Sequence, residues 1–276
     1  MRKILLLIAI AFVMTAGSPK KITWVSIGDS ITYLNEHIDE TGNRITKGYM
    51  TRVVEKLTNV TYINQGHNGW TATRIAASFD KLAVPAGADV YSVFLGTNDW
   101  WHSNRLGSWK DYQDGTGDST IYGAFRIILD KLRQLNKDAT FILITPMPRA
   151  DFVYINNPSN NAYGSYKEKD GQTLEQVSDA IRAIARHEHI KIIDLYHNKE
   201  LAVPRLIRFK RLKDPRTGSY TDYSYPDYIG IPFNPTTDEY PYPVGAMNMT
   251  FDGLHPSDAG DSVIAGQLFN ILKRIR

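Results

Sequence analysis

Five short apolar runs in this chain are separated by segments whose apolar residues recur at helical spacing. The runs cover residues 22–27, 60–64, 90–95, 141–144 and 190–195. The third is apolar almost throughout, which is typical of a strand buried on both faces. The helical pattern is clearest over residues 121–135, where apolar side chains lie three or four positions apart. Strands that alternate with helices predict parallel βαβ units, and therefore an α/β fold with a doubly wound sheet.

The composition limits the chain to one main domain and excludes several functions. A length of 276 residues suits one large α/β domain. Removing Arg2 and Lys3, which precede the first strand, from the 32 Lys and Arg residues leaves 30 against 29 Asp and Glu residues. A chain so close to neutral gives no reason to expect a nucleic acid as its partner. The absence of cysteine excludes disulfides, thiolate metal sites and a cysteine nucleophile.

The first 17 residues have the pattern of a secretory signal peptide. Arg2 and Lys3 precede an apolar run over residues 4–14, and small residues follow at positions 15–17. The apolar run is too short for the roughly 20 residues that span a bilayer as a helix. We therefore expect residues 18–276 to form a secreted or periplasmic domain without stable insertion in a membrane.

Polar segments follow the first three predicted strands, and a fourth precedes the last predicted helix. In open parallel sheets, ligands bind outside the carboxyl ends of the strands. Such residues are therefore expected to meet at one edge of the sheet. The segments are Gly-Asp-Ser at 28–30, Asn-Gln-Gly-His-Asn-Gly at 64–69, Gly-Thr-Asn-Asp at 96–99 and Asp-Gly-Leu-His-Pro at 252–256.

These segments contain the groups that acyl transfer requires. The Ser30 hydroxyl is a candidate nucleophile, and it needs a base within hydrogen-bond reach. His255 can be that base, and Asp252 can orient its imidazole from three residues away. The tetrahedral intermediate needs donors for its oxyanion, and the candidates are the backbone N–H groups of Ser30 and Gly69 and the side-chain amide of Asn98. This chemistry needs no metal and no cofactor.

The order of the four segments is more specific than any one of them. Gly-Asp-Ser occurs again at 117–119 and 260–262, but only the copy at 28–30 follows a predicted strand. Asp29 and Asp99 are expected to brace their turns rather than react. The sequence His-Glu-His at 187–189 could suggest a metal site, but it lacks a third ligand at useful spacing and is better explained as a solvated helix end.

Together the four segments resemble the conserved blocks of the SGNH (GDSL-like) hydrolases, in order and spacing over the whole mature chain. The resemblance implies a flavodoxin-like, five-stranded parallel sheet and esterase or acylhydrolase activity without a metal. By position within the blocks, it implies Ser30 as nucleophile, Asp252 and His255 as acid and base, and Gly69 and Asn98 as oxyanion donors. The second block departs from the family pattern and leaves Gly66 as an alternative donor, although the spacing from Asn64 favours Gly69.

The connection over residues 197–250 is too long for an ordinary loop. It contains seven of the 13 prolines together with several tyrosines, whereas disordered linkers are poor in aromatic residues. We expect an ordered excursion at the rim of the active site. Trp100 and Trp101, which follow Asn98, and His67 are candidate substrate contacts. Aromatic rings beside polar groups suit sugars, although a packed extension without a ligand role is the simpler alternative.

The sequence therefore predicts a serine esterase that removes a small acyl group, such as acetyl, from a carbohydrate. A lipase or lysophospholipase acting on longer acyl chains is the alternative within the same enzyme class. A catalytically inactive carbohydrate-binding protein on the same fold is the alternative from another class. The substrate is expected to be a small-molecule or oligosaccharide ester.

Overall fold

The computed structural model describes residues 20–115 and 117–275, so the apolar run at 4–14 lies outside the described residues. The strands are β1 (Ile22–Gly28), β2 (Val60–Gly66), β3 (Val90–Phe94), β4 (Thr140–Ile144), β5 (Phe152–Val153), β6 (Asn161–Ala162), β7 (Lys191–Ile193), β8 (Lys210–Lys213) and β9 (Tyr220–Tyr223). The helices are α1 (Ser30–Tyr33), α2 (Tyr49–Lys56), α3 (Ala72–Ser78), α4 (Thr97–Trp101), α5 (Trp109–Asp114), α6 (Ile121–Leu135), α7 (Leu174–His187), α8 (Val203–Leu206) and α9 (Asp258–Leu272). Short 3₁₀ turns lie at Ile38–Thr41, Phe79–Lys81, Lys199–Leu201 and Val244–Ala246.

Five of the strands form one parallel sheet in the order β2-β1-β3-β4-β7. This order confirms the predicted flavodoxin-like sheet, because the first strand lies inside the sheet and the chain winds outward from it in both directions. None of the helices within residues 20–115 and 117–275 combines the length and the apolarity needed to cross a membrane.

The two faces of the sheet form two separate cores. Side chains alternate between the faces of a strand, so Trp24 of β1 lies in one core and Val25 in the other. Helices α2 and α9 cover the first face, and α3, α6 and α7 cover the second. The regular spacing predicted over 121–135 corresponds to α6, whose buried residues include Phe125 and Ile128. Every residue of β3 is buried, as its apolar sequence predicted.

Two small antiparallel pairs were not predicted. β5 and β6 form a hairpin in which Phe152 pairs with Ala162, and β8 and β9 form a second hairpin within the excursion. Strands β5 and β6 have two residues each and are therefore too short to be identified from a periodic pattern. The first hairpin contributes to the candidate site described below.

The excursion over residues 197–250 is ordered and packs against the first core and the β5–β6 hairpin. Tyr242 is fully buried, and its hydroxyl donates to the backbone oxygen of Asp151. The Tyr240 hydroxyl donates to the backbone oxygen of Val153 at 2.9 Å. Lys210 Nζ lies 2.8 Å from Asp151 Oδ2, and this lysine side chain is 5% exposed. The excursion therefore supports the hairpin through both hydrogen bonds and a buried ion pair.

We expect Lys210→Met to lower the free energy of unfolding by about 3 kcal/mol, because removing one partner leaves a mostly buried carboxylate without its cation. Urea denaturation followed by circular dichroism measures the change. Arg216→Met is the matched control, since Arg216 pairs with Asp214 at 3.2 Å but is 86% exposed. The control should cost much less, because an exposed ion pair contributes little to stability. Equal losses for the two variants would contradict a structural role for the buried pair.

Candidate active site

Ser30 lies at the turn between β1 and α1. Asp29 caps the helix, since its Oδ1 accepts a hydrogen bond from Ile31 N at 3.0 Å. Gly28 is required just before the turn, because a Cβ there would lie 2.0 Å from Thr32 Oγ1 and 3.1 Å from Phe94 O. The Ser30 N–H is at the N-terminus of a helix, where backbone donors have no partner within the helix. The turn therefore presents both the hydroxyl and the N–H of Ser30 at the carboxyl edge of the sheet.

Asp252 and His255 lie on one tight turn that precedes α9. Asp252 Oδ1 accepts from Leu254 N at 3.0 Å and from His255 N at 2.8 Å. Asp252 Oδ2 lies 2.7 Å from His255 Nδ1. Gly253 has a φ of +91°, and a Cβ there would lie 2.0 Å from Asp151 O, so this turn requires glycine. The carboxylate thus holds both the backbone and the ring of its own histidine.

The histidine ring reaches the serine from the opposite end of the sequence. His255 Nε2 lies 2.8 Å from Ser30 Oγ. The rings of Phe152 and Phe251 lie 5.5 and 5.7 Å from the imidazole, centroid to centroid, and His255 is 6% exposed. Packing on two sides therefore limits the rotation of the ring. The structure brings together the three residues that the sequence predicted as nucleophile, base and acid.

The predicted oxyanion donors lie beside the same serine. Gly69 and Asn98 line a cleft together with Ser30 and His255. Asn98 Nδ2 donates to Trp70 O at 3.0 Å, and because an amide nitrogen has two hydrogens, one remains for a ligand. Gly69 has a φ of +70°, which favours glycine. The alternative donor, Gly66 N, is bound to Asn64 Oδ1 at 2.8 Å.

Asp29 and Asp99 brace the site, as predicted. Burial raises the pKa of Asp29 to about 6, although the hydrogen bond from Ile31 N and the charge of His255 lower it. Burial also raises the pKa of Asp99, whose carboxylate accepts from the N–H groups of Ala72 and Thr73 at the start of α3. Both aspartates bind backbone donors of the turns that carry the candidate residues.

The cleft has a volume of about 420 Å³ and two kinds of wall. Its apolar side chains are Leu34, Trp101, Phe152, Ala162 and Leu254, and its polar ones beyond the residues above are Glu40, Asn68, His102, Arg149, Tyr154 and Asn160. This volume is in the usual range for small-molecule sites, which is about 300–1,000 Å³.

Three predicted features are not part of the lining of the cleft. Trp101 lines it, but Trp100 is fully buried and its Nε1 donates to Gln172 O at 2.9 Å. His67 is not among the lining residues; its ring stacks on Trp70 at 4.5 Å, and burial lowers its pKa. No described residue of 197–250 lines the cleft either. The excursion instead contacts the hairpin through Tyr240 and the end of the catalytic turn through Met249, whose backbone oxygen accepts from Ser257 N at 3.0 Å.

The cleft is also lined by Arg149 and by the hairpin residues Phe152 and Tyr154, which were not predicted from the sequence. Arg149 follows the carboxyl end of β4, so the same strand-end rule that found Asn98 could have found it. The hairpin has no comparable signal, because its strands are too short. Among residues 20–115 and 117–275, the structure contains no group of three His, Asp or Glu side chains that could hold a metal ion.

Comparisons with known proteins identify the family and the fold of this chain. Residues 26–263 match the model of the GDSL-like Lipase/Acylhydrolase family. A search of curated proteins finds no match. A solved structure described as a possible lipase from Chitinophaga pinensis DSM 2588 is 55% identical, with a TM-score of 0.90 over 92% of this chain and 98% of that chain.

Two more distant structures share the fold. One is described as an acetyl xylan esterase, at 19% identity and a TM-score of 0.53, covering 91% of this chain and 100% of that chain. The other is a mutant of an acetyl-xylooligosaccharide esterase from Geobacillus Stearmophilus, at 17% identity and a TM-score of 0.51, covering 91% and 94%. Because the family model spans most of the sequence, this chain belongs to the GDSL-like lipase/acylhydrolase family, a family of ester hydrolases.

Proposed function

We propose that this protein is a serine esterase in which Ser30 attacks the ester carbonyl and His255 takes the hydroxyl proton. The observation that supports it is the pair of contacts made by His255, 2.8 Å to Ser30 Oγ and 2.7 Å to Asp252 Oδ2. In the tautomer with the proton on Nδ1, the ring donates to Asp252, and Nε2 accepts from the serine. Asp252 then stabilises the imidazolium that forms when the proton is transferred.

The reaction proceeds in two acyl-transfer steps. Attack by Ser30 Oγ gives a tetrahedral intermediate, which collapses as His255 Nε2 returns its proton to the departing alcohol. Water then attacks the acyl-serine with the same base, releasing the acid and restoring the hydroxyl. We assign the oxyanion to the N–H groups of Ser30 and Gly69 and to Asn98 Nδ2. The engagement of Gly66 N with Asn64 supports Gly69 over Gly66.

For the substrate, we propose a short acyl ester of a carbohydrate. The cleft combines one large aromatic side chain, Trp101, with several hydrogen-bonding groups, including Asn68 and Tyr154. Sugars match this combination, since their rings have apolar faces and their hydroxyls need polar partners. Two proteins described as acetylated-xylan esterases share the fold, which shows that the fold is compatible with deacetylation.

A lipase acting on longer acyl chains is the second candidate. Leu34, Phe152 and Leu254 provide apolar surface in the cleft, and the 55% identical structure is described as a possible lipase. The polar residues around the same cleft favour the carbohydrate ester. We also propose that the protein is exported, because its first 17 residues have a basic start followed by a short apolar run.

The first test removes the nucleophile. Ser30→Ala should lower kcat by at least about 10³-fold with folding intact, because triad members act as a unit. Hydrolysis of p-nitrophenyl acetate by purified protein measures it. Ser119→Ala and Ser262→Ala are matched controls, since each serine belongs to a Gly-Asp-Ser copy outside the cleft and should leave kcat nearly unchanged. Near-normal turnover by Ser30→Ala would show that hydrolysis does not use this nucleophile, and absence of turnover by the wild-type protein would favour the inactive binding protein.

The second test removes one oxyanion donor. Asn98→Ala should lower kcat by about 10²–10³-fold, which is typical of one lost donor, with little change in KM. Steady-state kinetics with the same ester separates the two constants. An effect confined to KM would mean that Asn98 binds the substrate in its ground state and does not stabilise the oxyanion.

The third test addresses chain length. We expect kcat/KM for p-nitrophenyl acetate to exceed that for the octanoate by at least about tenfold, a difference of about 1.4 kcal/mol in transition-state binding. Acetylated xylooligosaccharides should be better substrates still, because contacts remote from the ester can stabilise the transition state. A preference for octanoate would support the lipase assignment and leave the serine mechanism in place.

A further inference from the structure

We infer that Arg149 binds a carboxylate of the substrate, so that this cleft prefers an anionic ester to a neutral one of similar size. The inference rests on the proposed esterase function, because Arg149 lines the same cleft as Ser30 and His255. Arg149 follows β4 at the carboxyl edge of the sheet and is 1% exposed. A buried cation is costly unless a partner compensates its charge.

The nearby carboxylates already have other partners. Asp151 and Asp252 are the groups whose negative charge acts most strongly on Arg149. Asp151 Oδ2 lies 2.8 Å from Lys210 Nζ, and Asp252 Oδ2 lies 2.7 Å from His255 Nδ1. Arg149 itself forms no ion pair within 4.0 Å with any described residue. The two nearby carboxylates are thus paired with Lys210 and His255, and Arg149 has no carboxylate of its own.

Two of the three guanidinium nitrogens of Arg149 also lack hydrogen-bond acceptors among the described residues. Its Nε and Nη2 atoms are buried and have no hydrogen-bond partner among the described residues. Its central carbon lies 5.3 and 5.2 Å from the ring centroids of Trp100 and Trp101. These rings attract the cation, but they do not replace oxygen acceptors for its N–H groups. Burial lowers the pKa of Arg149 to about 10, so the group remains charged at neutral pH.

One carboxylate, Glu40, also lines the cleft. Because Glu40 is partly exposed, its negative charge opposes the binding of an anion less than a buried carboxylate would. Its side chain is 32% exposed, and Oε1 accepts a hydrogen bond from Tyr33 OH at 2.8 Å. Water and salt screen an exposed charge far more than a buried one. Glu40 therefore offsets the charge of Arg149 less than a buried carboxylate would. An anionic ligand is attracted to Arg149, and a guanidinium is the side chain best suited to a planar carboxylate.

The carboxylate could belong to either half of the ester. On the alcohol half, it would be an acidic sugar such as a uronic acid. On the acyl half, it would be the free end of a dicarboxylic acid. Both present the same planar anion to Arg149, and matched substrate pairs separate them.

The experiment compares anionic and neutral esters of nearly equal size. The first pair is acetylated methyl glucuronoside and acetylated methyl glucoside, which differ in a carboxylate against a hydroxymethyl group. The second pair is the p-nitrophenyl monoester of adipic acid and the same compound with its far carboxyl as a methyl ester. The readout is the ratio of kcat/KM values within each pair, which a general loss of activity does not change.

We expect the wild-type protein to prefer the anionic member of one pair by at least about tenfold, the size of one charge-assisted hydrogen bond. Arg149→Met, which keeps an unbranched stem beside the tryptophans, should remove the preference, and the ratio within each pair reports this loss whatever the overall rate of the variant. Arg149→Lys should retain part of it. Arg182→Met, at an arginine of α7 that does not line the cleft, is the matched control and should change nothing.

No preference in either pair, or a preference that survives in Arg149→Met, would overturn the role of Arg149 while the esterase stands. Failure to hydrolyse the neutral esters as well would count against the proposed function instead. Calorimetry on Ser30→Ala then tests the arginine without catalysis, using methyl glucuronoside, monomethyl adipate and methyl glucoside. Binding of an anionic ligand alone, lost in Ser30→Ala/Arg149→Met, supports the inference, and no anionic binding overturns it.

Discussion

The pairing of β1 with two neighbours at once determines where the serine turn lies. Gly28, the last residue of β1, pairs with Gly66 on one side and with Phe94 on the other. Three strand ends therefore stop at the same level, and the loops that follow them converge. Glycine at two of these positions lets α1 turn back closely against β2, since a Cβ at Gly66 would lie 2.2 Å from Tyr33 N. The positions of Ser30, Gly69 and Asn98 all depend on this register.

The sequence predicted the parts of the molecule that have a period or a fixed place relative to a strand. The five strands and α6 have clear patterns, and Ser30 and Asn98 follow strand ends directly. His255 lies far from Ser30 in sequence. Its role as the base could still be predicted, because Asp252 is only three residues away and a helix follows. Trp100 was misplaced because adjacent residues of α4 point in different directions, so one faces the core and the other the cleft.

The location of the excursion could not be predicted from the sequence, for a different reason. Its composition predicted order, and the burial of Tyr228 and Tyr242 agrees with that. Its contacts, however, include Val153 of the β5–β6 hairpin and Asp151 just before it, and the hairpin strands are too short to recognise from a pattern. Long-range contacts between two irregular segments leave no periodic trace in either one. The residues that line the cleft next to His255 therefore had to come from the three-dimensional structure.

The backbone of the hairpin is bound directly to the turn that carries the histidine. Ala150 N donates to Gly253 O at 2.8 Å, and Val153 N donates to Asp252 O at 3.1 Å. The tip of the hairpin, over residues 154–160, makes no comparable bond to that turn among the described residues. Substitutions are therefore expected to be tolerated better at residues 154–160 than at residues 150–153. A library for directed evolution can randomise the tip, where Tyr154 and Asn160 line the cleft, whereas proline at Ala150 or Val153 would remove a bond to the turn that holds His255.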